Sequence, residues 1–112
     1  MGKEPIDLLH GTVDVLVLTA LKLGPRHGYA IARWIEDRTD GVLVLEDAAL
    51  YKALHRLEAR RAIEADWGVA ESNRRAKYYQ LTKRGRALLR AETDTWRRYA
   101  DAVVRVLKAA EA

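Results

Sequence analysis

Cysteine is absent from the 112-residue chain, which excludes disulfides, thiolate zinc sites and a cysteine nucleophile. The three histidines, His10, His27 and His55, fall on three different predicted elements and at no metal-ligand spacing. No serine, histidine or carboxylate cluster stands in a recognisable nucleophile or general-base context either. We therefore expect neither an enzyme nor a bound cofactor or metal.

Long apolar runs, low-complexity tracts and internal repeats are also missing. The longest uncharged apolar stretch, Val15 to Leu21, is far shorter than the roughly 20 residues that span a bilayer. The chain starts Met1-Gly2-Lys3-Glu4-Pro5, with an acid and a proline where a secretory signal has a basic start and an apolar run. We expect a cytoplasmic protein with no membrane span.

Charge is present but unevenly distributed. The net charge is +4, yet residues 51 to 90 hold eleven Lys and Arg against four Asp and Glu, a net +7, which leaves −3 for the rest. Such a basic segment favours a surface that faces a polyanion. The length is near the commonest domain size, and 49% of the residues are hydrophobic, so we expect one domain plus an appendage.

Helical periodicity dominates the first half of the chain. Val13 to Leu23 is apolar almost all round and predicts a buried helix that begins at a threonine cap, Thr12, and ends at Gly24-Pro25. A second helix is predicted to open at His27-Gly28 and to stop at Asp40-Gly41. Its expected apolar side consists of Tyr29, Ile31, Ala32 and Ile35.

A third helix is predicted from Ala48 to about Arg61, after a cap at Glu46-Asp47. Leu50, Leu54 and Leu57 recur at spacings of four and three, which places them on one stripe against a core. The opposite face of this helix carries Lys52, His55, Arg56 and Ala59.

Two predicted strands follow the third helix. Ile63 to Trp67 alternates apolar with acidic residues, and Ala76 to Leu81 has the composition of a returning strand, with the polar loop Gly68 to Arg75 between them. Thr82 is expected to cap a last helix that runs to about Ala110, roughly 40 Å long at 1.5 Å per residue. Two strands joined by a basic loop, directly after a helix with a polar outer face, are typical of a β-hairpin wing.

The last helix is too long for one small domain to cover, so its apolar residues need a partner. Leu89, Trp96, Val103 and Ala110 are spaced by seven, and Tyr99 and Val106 fill intervening positions, a coiled-coil-like seam interrupted at Glu92. The pattern predicts a homodimer. The expected interface residues are Leu89, Trp96, Tyr99, Val103, Val106 and Leu107.

These elements predict a mainly α fold with a small β-wing, a winged helix-turn-helix at residues 1–81 followed by a long C-terminal dimerisation helix at 82–112. In that arrangement the third helix enters the major groove of DNA and the wing touches the backbone or minor groove. Three cations within four residues, Arg74 to Lys77, repel one another unless a polyanion or solvent screens them. The predicted DNA contacts are Tyr51, Lys52, His55, Arg56, Asn73, Arg74, Arg75 and Lys77. The alternative is an ordinary solvated helix face and a charged hairpin tip.

Several segments give the chain a specific resemblance to the PadR family of transcriptional regulators. They are Leu8-Leu9-His10-Gly11-Thr12, Gly24-Pro25-Arg26-His27-Gly28-Tyr29, Leu50-Tyr51-Lys52-Ala53-Leu54-His55-Arg56-Leu57-Glu58, and Arg74-Arg75-Ala76-Lys77-Tyr78-Tyr79-Gln80-Leu81-Thr82 with Gly85. The chain particularly resembles the short branch, in which one dimerisation helix follows the winged helix. The resemblance implies a dimeric repressor whose third helix and wing read a palindromic operator.

Two positions depart from the pattern of that family, which usually has a proline where this chain has Lys52 and a small hydroxyl residue where it has Ala49. We expect Lys52 to replace the lost phosphate contact with a charged one and to alter operator preference. Some relatives bind flat aromatic compounds between tryptophans of the last helix. This resemblance implies a small aromatic effector at Trp96, against the alternative that Trp96 is dimer core. A winged protein-interaction module and a metal-responsive repressor remain the competing functions.

Overall fold

The computed structural model describes residues 11–111, which form four helices and one three-stranded antiparallel sheet. Along the chain the elements are α1 (Thr12–Ala20), β1 (Arg26–His27), α2 (Gly28–Arg38), α3 (Asp47–Ala59), β2 (Ile63–Val69), β3 (Arg75–Leu81) and α4 (Lys83–Ala109). The strand order is β1-β3-β2. The predicted fold class is confirmed: the structure is mainly helical, with the β2–β3 hairpin as the wing and a long C-terminal helix.

The core lies around α1, which contacts α2, α3 and α4. Every residue of α1 is buried or partly buried, which agrees with its apolar character on nearly all sides. The predicted stripe of α3 is also buried, because the side chains of Leu50, Leu54 and Leu57 all face this core. The largest fully buried side chains are Leu18, Ile31, Ile35, Leu50, Leu54, Leu57, Ile63 and Val17.

Both predicted ends of α1 need correction. The N-cap is Gly11, at φ 88°, and no side chain caps the helix; Thr12 is instead its first residue and is buried. Gly11 takes this left-handed conformation easily because it has no Cβ. At the other end the helix stops at Ala20, and Leu23 is 80% exposed.

The short strand β1 was not predicted. Its two residues pair with the edge of the wing, Arg26 opposite Tyr79 and His27 opposite Tyr78. A two-residue strand is too short to show alternation, and only a partner about fifty residues away defines it. The pairing attaches the start of α2 to the wing.

The predicted Thr82 cap is confirmed, since the Gly85 backbone N–H donates to Thr82 Oγ1 at 3.0 Å. α4 then continues for 27 residues, about 40 Å at the standard rise. Its first turns rest on the core through Gly85 and Leu89. Residues 101–110 are all exposed in the single chain, so no other element among residues 11–111 covers this last part of α4.

Candidate nucleic-acid interface

The outward face of α3 carries its predicted polar side chains. Tyr51, Lys52, His55 and Arg56 are all exposed, while Leu50 and Leu54 beside them are buried. This division follows directly from the helical period, which turns residues 51, 52, 55 and 56 away from the stripe. The face is therefore available to a partner outside the domain.

Tyr51 lies across the start of α2. A Cβ placed on Gly28 would be 3.0 Å from the Tyr51 hydroxyl oxygen, so the ring packs closely against the backbone of Gly28. Tyr51 remains 53% exposed. Its hydroxyl thus lies where the first turn of α2 meets the outward face of α3, in position to donate to a phosphate oxygen.

The side chain of Arg56 on α3 is held by an ion pair with α1. Its guanidinium donates from Nη2 and Nε to the two carboxylate oxygens of Asp14 on α1, the Nε contact at 3.3 Å. The hydrogen bond to Asp14 raises the pKa of Arg56, so the side chain stays cationic. A bidentate pair of this kind also holds the guanidinium in one orientation.

The wing brings its cations to one side of the hairpin. Residues that alternate along a strand share a face, which places Arg75, Lys77 and Tyr79 together. The Arg75 guanidinium lies 4.7 Å from the ring centre of Trp67 on β2. Lys77 Nζ lies 3.6 Å from Glu58 Oε1 on α3. The side of the wing that carries these cations is therefore the side next to α3.

The tip of the wing is a tight turn with defined backbone bonds. The Ala70 N–H donates to the Arg74 carbonyl at 2.8 Å, and the Asn73 N–H donates to the Ala70 carbonyl at 2.9 Å. Asn73 has φ 63°, a left-handed conformation that asparagine tolerates better than most residues. Asn73 accordingly shapes the turn, and Arg74, the next residue, is exposed.

Tyr79 is buried on the side of the wing that carries Arg75 and Lys77. It is 6% exposed, and burial raises the pKa of its phenol, with Glu58 and Tyr51 acting in the same direction. The phenol thus stays neutral across the physiological range. Its ring also lies under Lys77, whose Nζ is 5.7 Å from the ring centre.

Two residues of the Gly24–Tyr29 segment hold the helix-turn-helix together, a role the sequence did not reveal. Arg26 Nε donates to the Ala20 carbonyl at the end of α1, at 2.7 Å. His27 Nδ1 accepts from the Ala30 N–H at 3.2 Å and so caps α2, and its ring meets Tyr78 edge-on at 5.4 Å. These contacts fix the start of α2 against both α1 and the wing.

The predicted apolar side of α2 is wrong at one residue, Tyr29. Its side chain is 66% exposed and does not pack in the core. Its hydroxyl accepts from Arg33 Nη1 at 3.1 Å. Both side chains line a groove of about 1020 Å³ between α2 and the wing, and Arg74 lines the opposite wall. Ala76 and Tyr78 on its wing side alternate with Arg75 and Lys77, so this groove lies on the opposite face of β3 from the side next to α3. Asp37 and Glu71 line it together with Arg33 and Arg74, so its charge is mixed.

The predicted dimer residues on α4 divide into two groups. Leu89 is buried in the core of the single chain, and Trp96 is half-buried against that core, with the Tyr99 ring edge-on at 5.8 Å. The others are exposed. They are Tyr99, Val103, Val106 and Leu107, and the nearby Val104 is exposed as well.

Across residues 11–111 no group of three or more His, Asp or Glu side chains is placed to hold a metal ion, and no helix is long and apolar enough to cross a membrane. His10 and the Leu8-Leu9 part of the first resemblance segment lie outside the described residues. His27 is a helix cap and His55 an exposed residue of α3.

A helix-turn-helix of α2 and α3, flanked by a β-hairpin with exposed cations on the side next to α3, defines a winged-helix DNA-binding protein. Residues 17–91 match the profile of the transcriptional regulator PadR-like family. The chain belongs to this family and is a DNA-binding transcriptional regulator; members of the family are regulators rather than enzymes.

Individual relatives agree with the family assignment. The chain is 32% identical over 90 residues to an uncharacterised protein of Lysinibacillus sphaericus. The aligned segment covers 80% of this chain and 83% of that protein. It is also similar to the structure of a transcriptional regulator from Clostridium thermocellum, with a TM-score of 0.77, 29% identity and coverage of 85% and 92% of the two chains. A PadR family transcription regulator from Clostridium difficile matches with a TM-score of 0.72, 27% identity and coverage of 85% and 97%.

Proposed function

We propose that the protein is a cytoplasmic homodimeric repressor that binds a palindromic operator through α3 and the wing and blocks a promoter. The single observation that carries this proposal is the exposed basic surface that joins these two elements. Within residues 11–111, Lys52, Arg74 and Arg75 are exposed and take part in no ion pair. Phosphate oxygens would supply the missing counter-charge.

Each element has a distinct part in this proposal. Lys52 and His55 on α3 reach base edges in the major groove, and Arg56 approaches beside them. Arg74 and Arg75 grip phosphates that flank the groove, and Tyr51 donates its hydroxyl to the backbone. In a dimer the two copies of α3 lie about 34 Å apart, one turn of the double helix, so that they enter successive major grooves.

The groove between α2 and the wing adds two residues to this interface. Arg33 and Tyr29 are exposed on the wall opposite Arg74. The Tyr29 hydroxyl accepts from Arg33 Nη1, and Arg33 Nε lies 3.8 Å from Asp37 Oδ1, so both contacts orient the guanidinium. We expect the pair to hold one phosphate where the backbone crosses the start of α2.

The test is binding to a duplex that the protein itself selects from a random pool, measured by fluorescence anisotropy at two salt concentrations. Changing Arg74→Gln and Arg75→Gln together should weaken binding about tenfold at low salt and reduce the salt slope by about 1.8 per subunit. The control is Arg98→Gln with Arg105→Gln, which removes the same charge from exposed positions on α4. Equal losses in both variants, or none in the first, would refute the proposal.

We also propose Trp96 as the contact for a planar aromatic effector. The indole is half-buried, so part of it is open, and the neighbouring Tyr99 adds a second aromatic surface. Such a compound would release the operator only if it preferred the free geometry of the dimer. In a protein with Trp34 and Trp67 replaced by Phe, a panel of planar dyes should quench the Trp96 fluorescence. A panel that leaves the emission unchanged eliminates this site.

A further inference from the structure

A second basic surface lies away from α3 and the wing tip. It lines a groove of about 650 Å³ between the end of α1, the end of β3 and the first half of α4. This volume is within the range of sites for small molecules. The groove is lined by Lys22, Leu81, Arg86, Leu89, Arg90, Thr93, Asp94 and Arg97.

Positive charge dominates this groove. Four cations surround it, and among the lining residues that the structure describes Asp94 is the single acid. Within residues 11–111 none of these five side chains forms an ion pair within 4.0 Å. Arg86 and Arg90 are four residues apart on α4, a spacing at which like charges repel each other. The groove thus holds an excess of positive charge that no neighbouring carboxylate in the described chain neutralises.

The position of the groove separates it from the proposed DNA surface. None of its lining residues belongs to α3 or to the wing loop 70–74. Leu81 ends β3, while Arg75 at the wing tip begins it. At 3.3 Å or more per residue the two ends of this strand are about 20 Å apart. A duplex held by α3 and the wing tip therefore leaves the groove open.

The proposed dimer seam also leaves it open. At about 100° per residue, Arg86, Arg90 and Arg97 form a stripe about 130° round α4 from the stripe of Trp96, Tyr99 and Val103. A partner helix seated on Trp96, Tyr99 and Val103 would accordingly leave these arginines uncovered. Leu89 is the one predicted seam residue that also lines the groove, and it is buried in the core of the single chain.

We propose that this groove binds a small organic anion, a carboxylate or a phosphate monoester. The guanidinium groups of Arg86, Arg90 and Arg97 hold the charged end through paired hydrogen bonds, the geometry that favours arginine for such groups. Thr93 offers a hydroxyl, and Leu81 and Leu89 form an apolar floor for the rest of the molecule. An anion bound there bridges α1, β3 and α4, so it fixes α4 against the DNA-binding unit.

The test follows backbone amide shifts by NMR in the full chain, with phenyl phosphate as the probe. We expect shifts at the groove residues, saturable binding, and affinity at least five times higher than that of inorganic phosphate. Benzyl alcohol, which has the ring without the charge, should not bind. Changing Arg90→Gln and Arg97→Gln together should weaken phenyl phosphate binding at least tenfold, whereas Arg98→Gln with Arg105→Gln should leave it within twofold.

Three results would overturn the proposal: equal losses in the two double variants, equal binding of phenyl phosphate and either reference compound, or shifts confined to α3 and the loop 70–74. The last would mean that the phosphate group is held by the proposed DNA surface. If the double variant does not fold, Arg86→Gln alone provides the same comparison. Because the readout involves no DNA, its failure is separate from failure of the proposed repressor function.

Discussion

Arg56 on α3 and Asp14 on α1 form a bidentate ion pair between residues 42 positions apart in the chain. Asp14 is therefore the nearest counter-charge to one of the predicted DNA contacts. Its carboxylate orients the guanidinium, yet it also offsets the positive charge that would attract a phosphate. Binding of DNA through Arg56 must compete with this pair or share the guanidinium with it.

Replacing Asp14 by Asn should strengthen DNA binding. The change keeps a hydrogen-bond acceptor for Arg56 and removes the negative charge, so we expect about threefold tighter binding to an unselected duplex and a steeper salt slope, by up to about 0.9 per subunit. Anisotropy titrations at several salt concentrations measure both. Asp101→Asn on the exposed part of α4 is the matched control. Weaker binding by Asp14→Asn would show instead that orientation of Arg56 outweighs its charge.

Lys52 gives a second test of the recognition helix. It lies inside α3, where a proline would also remove a backbone hydrogen bond, so Lys52→Gln isolates the effect of charge. We expect a loss of affinity on selected and unselected duplexes alike and a salt slope lower by about 0.9 per subunit. Lys108→Gln near the end of α4 should have no effect. An unchanged affinity and slope would show that Lys52 does not contact phosphate.

The sequence was sufficient for features that depend on local spacing. Leu50, Leu54 and Leu57 share a stripe because of the helical period alone, and Thr82 caps α4 through a residue only three positions away. The fold class follows from the order of such elements. For the same reason the exposed side chains of α3 were predicted correctly as a set.

Contacts between residues that are far apart in the sequence could not be predicted. The residues next to Arg56 in the sequence do not predict its ion pair with Asp14, and those next to Lys77 do not predict its ion pair with Glu58. β1 exists only through its pairing with β3, and Tyr29 is exposed because the wing, not the core, lies beside it. Local patterns identify which side chains are charged or apolar, whereas tertiary packing decides which of them are paired.

Gly85 is expected to be intolerant of any side chain. A Cβ at this position would lie 1.9 Å from the Ala62 carbonyl oxygen, which also accepts from the Thr82 N–H at 3.1 Å. Gly85→Ala must therefore move α4 away from the end of α3, and we expect it to lower the free energy of unfolding by about 3 kcal/mol. Urea denaturation measures this change. Gly68→Ala, which meets only the movable ring of Tyr78, is the control and should cost clearly less.

The buried phenol of Tyr79 predicts a dependence of stability on alkaline pH. Its pKa is raised by burial, so above pH 10 the unfolded chain releases this proton more readily than the folded protein. The unfolded state is then favoured as pH rises, and stability falls. Tyr79→Phe removes this group, so its melting temperature should drop less than that of the wild type between pH 8 and pH 10.5. Parallel curves for the two proteins would contradict the assignment.

The exposed half of α4 offers the sharpest test of the proposed dimer, because two adjacent valines differ in the face they occupy. Val103 and Val104 are 40% and 44% exposed in the single chain. Only Val103 lies on the predicted seam, between Trp96 and Val106.

If the seam is the interface, Val103→Asp places a charge in its centre, and we expect a monomer at 20 µM by sedimentation equilibrium, with operator affinity reduced to that of one half-site. Val104→Asp should remain a dimer, since its side chain points about 100° further round the helix. Should both variants dissociate, or neither, α4 does not pair through this seam. The spacing of the two α3 helices would then be set by other contacts.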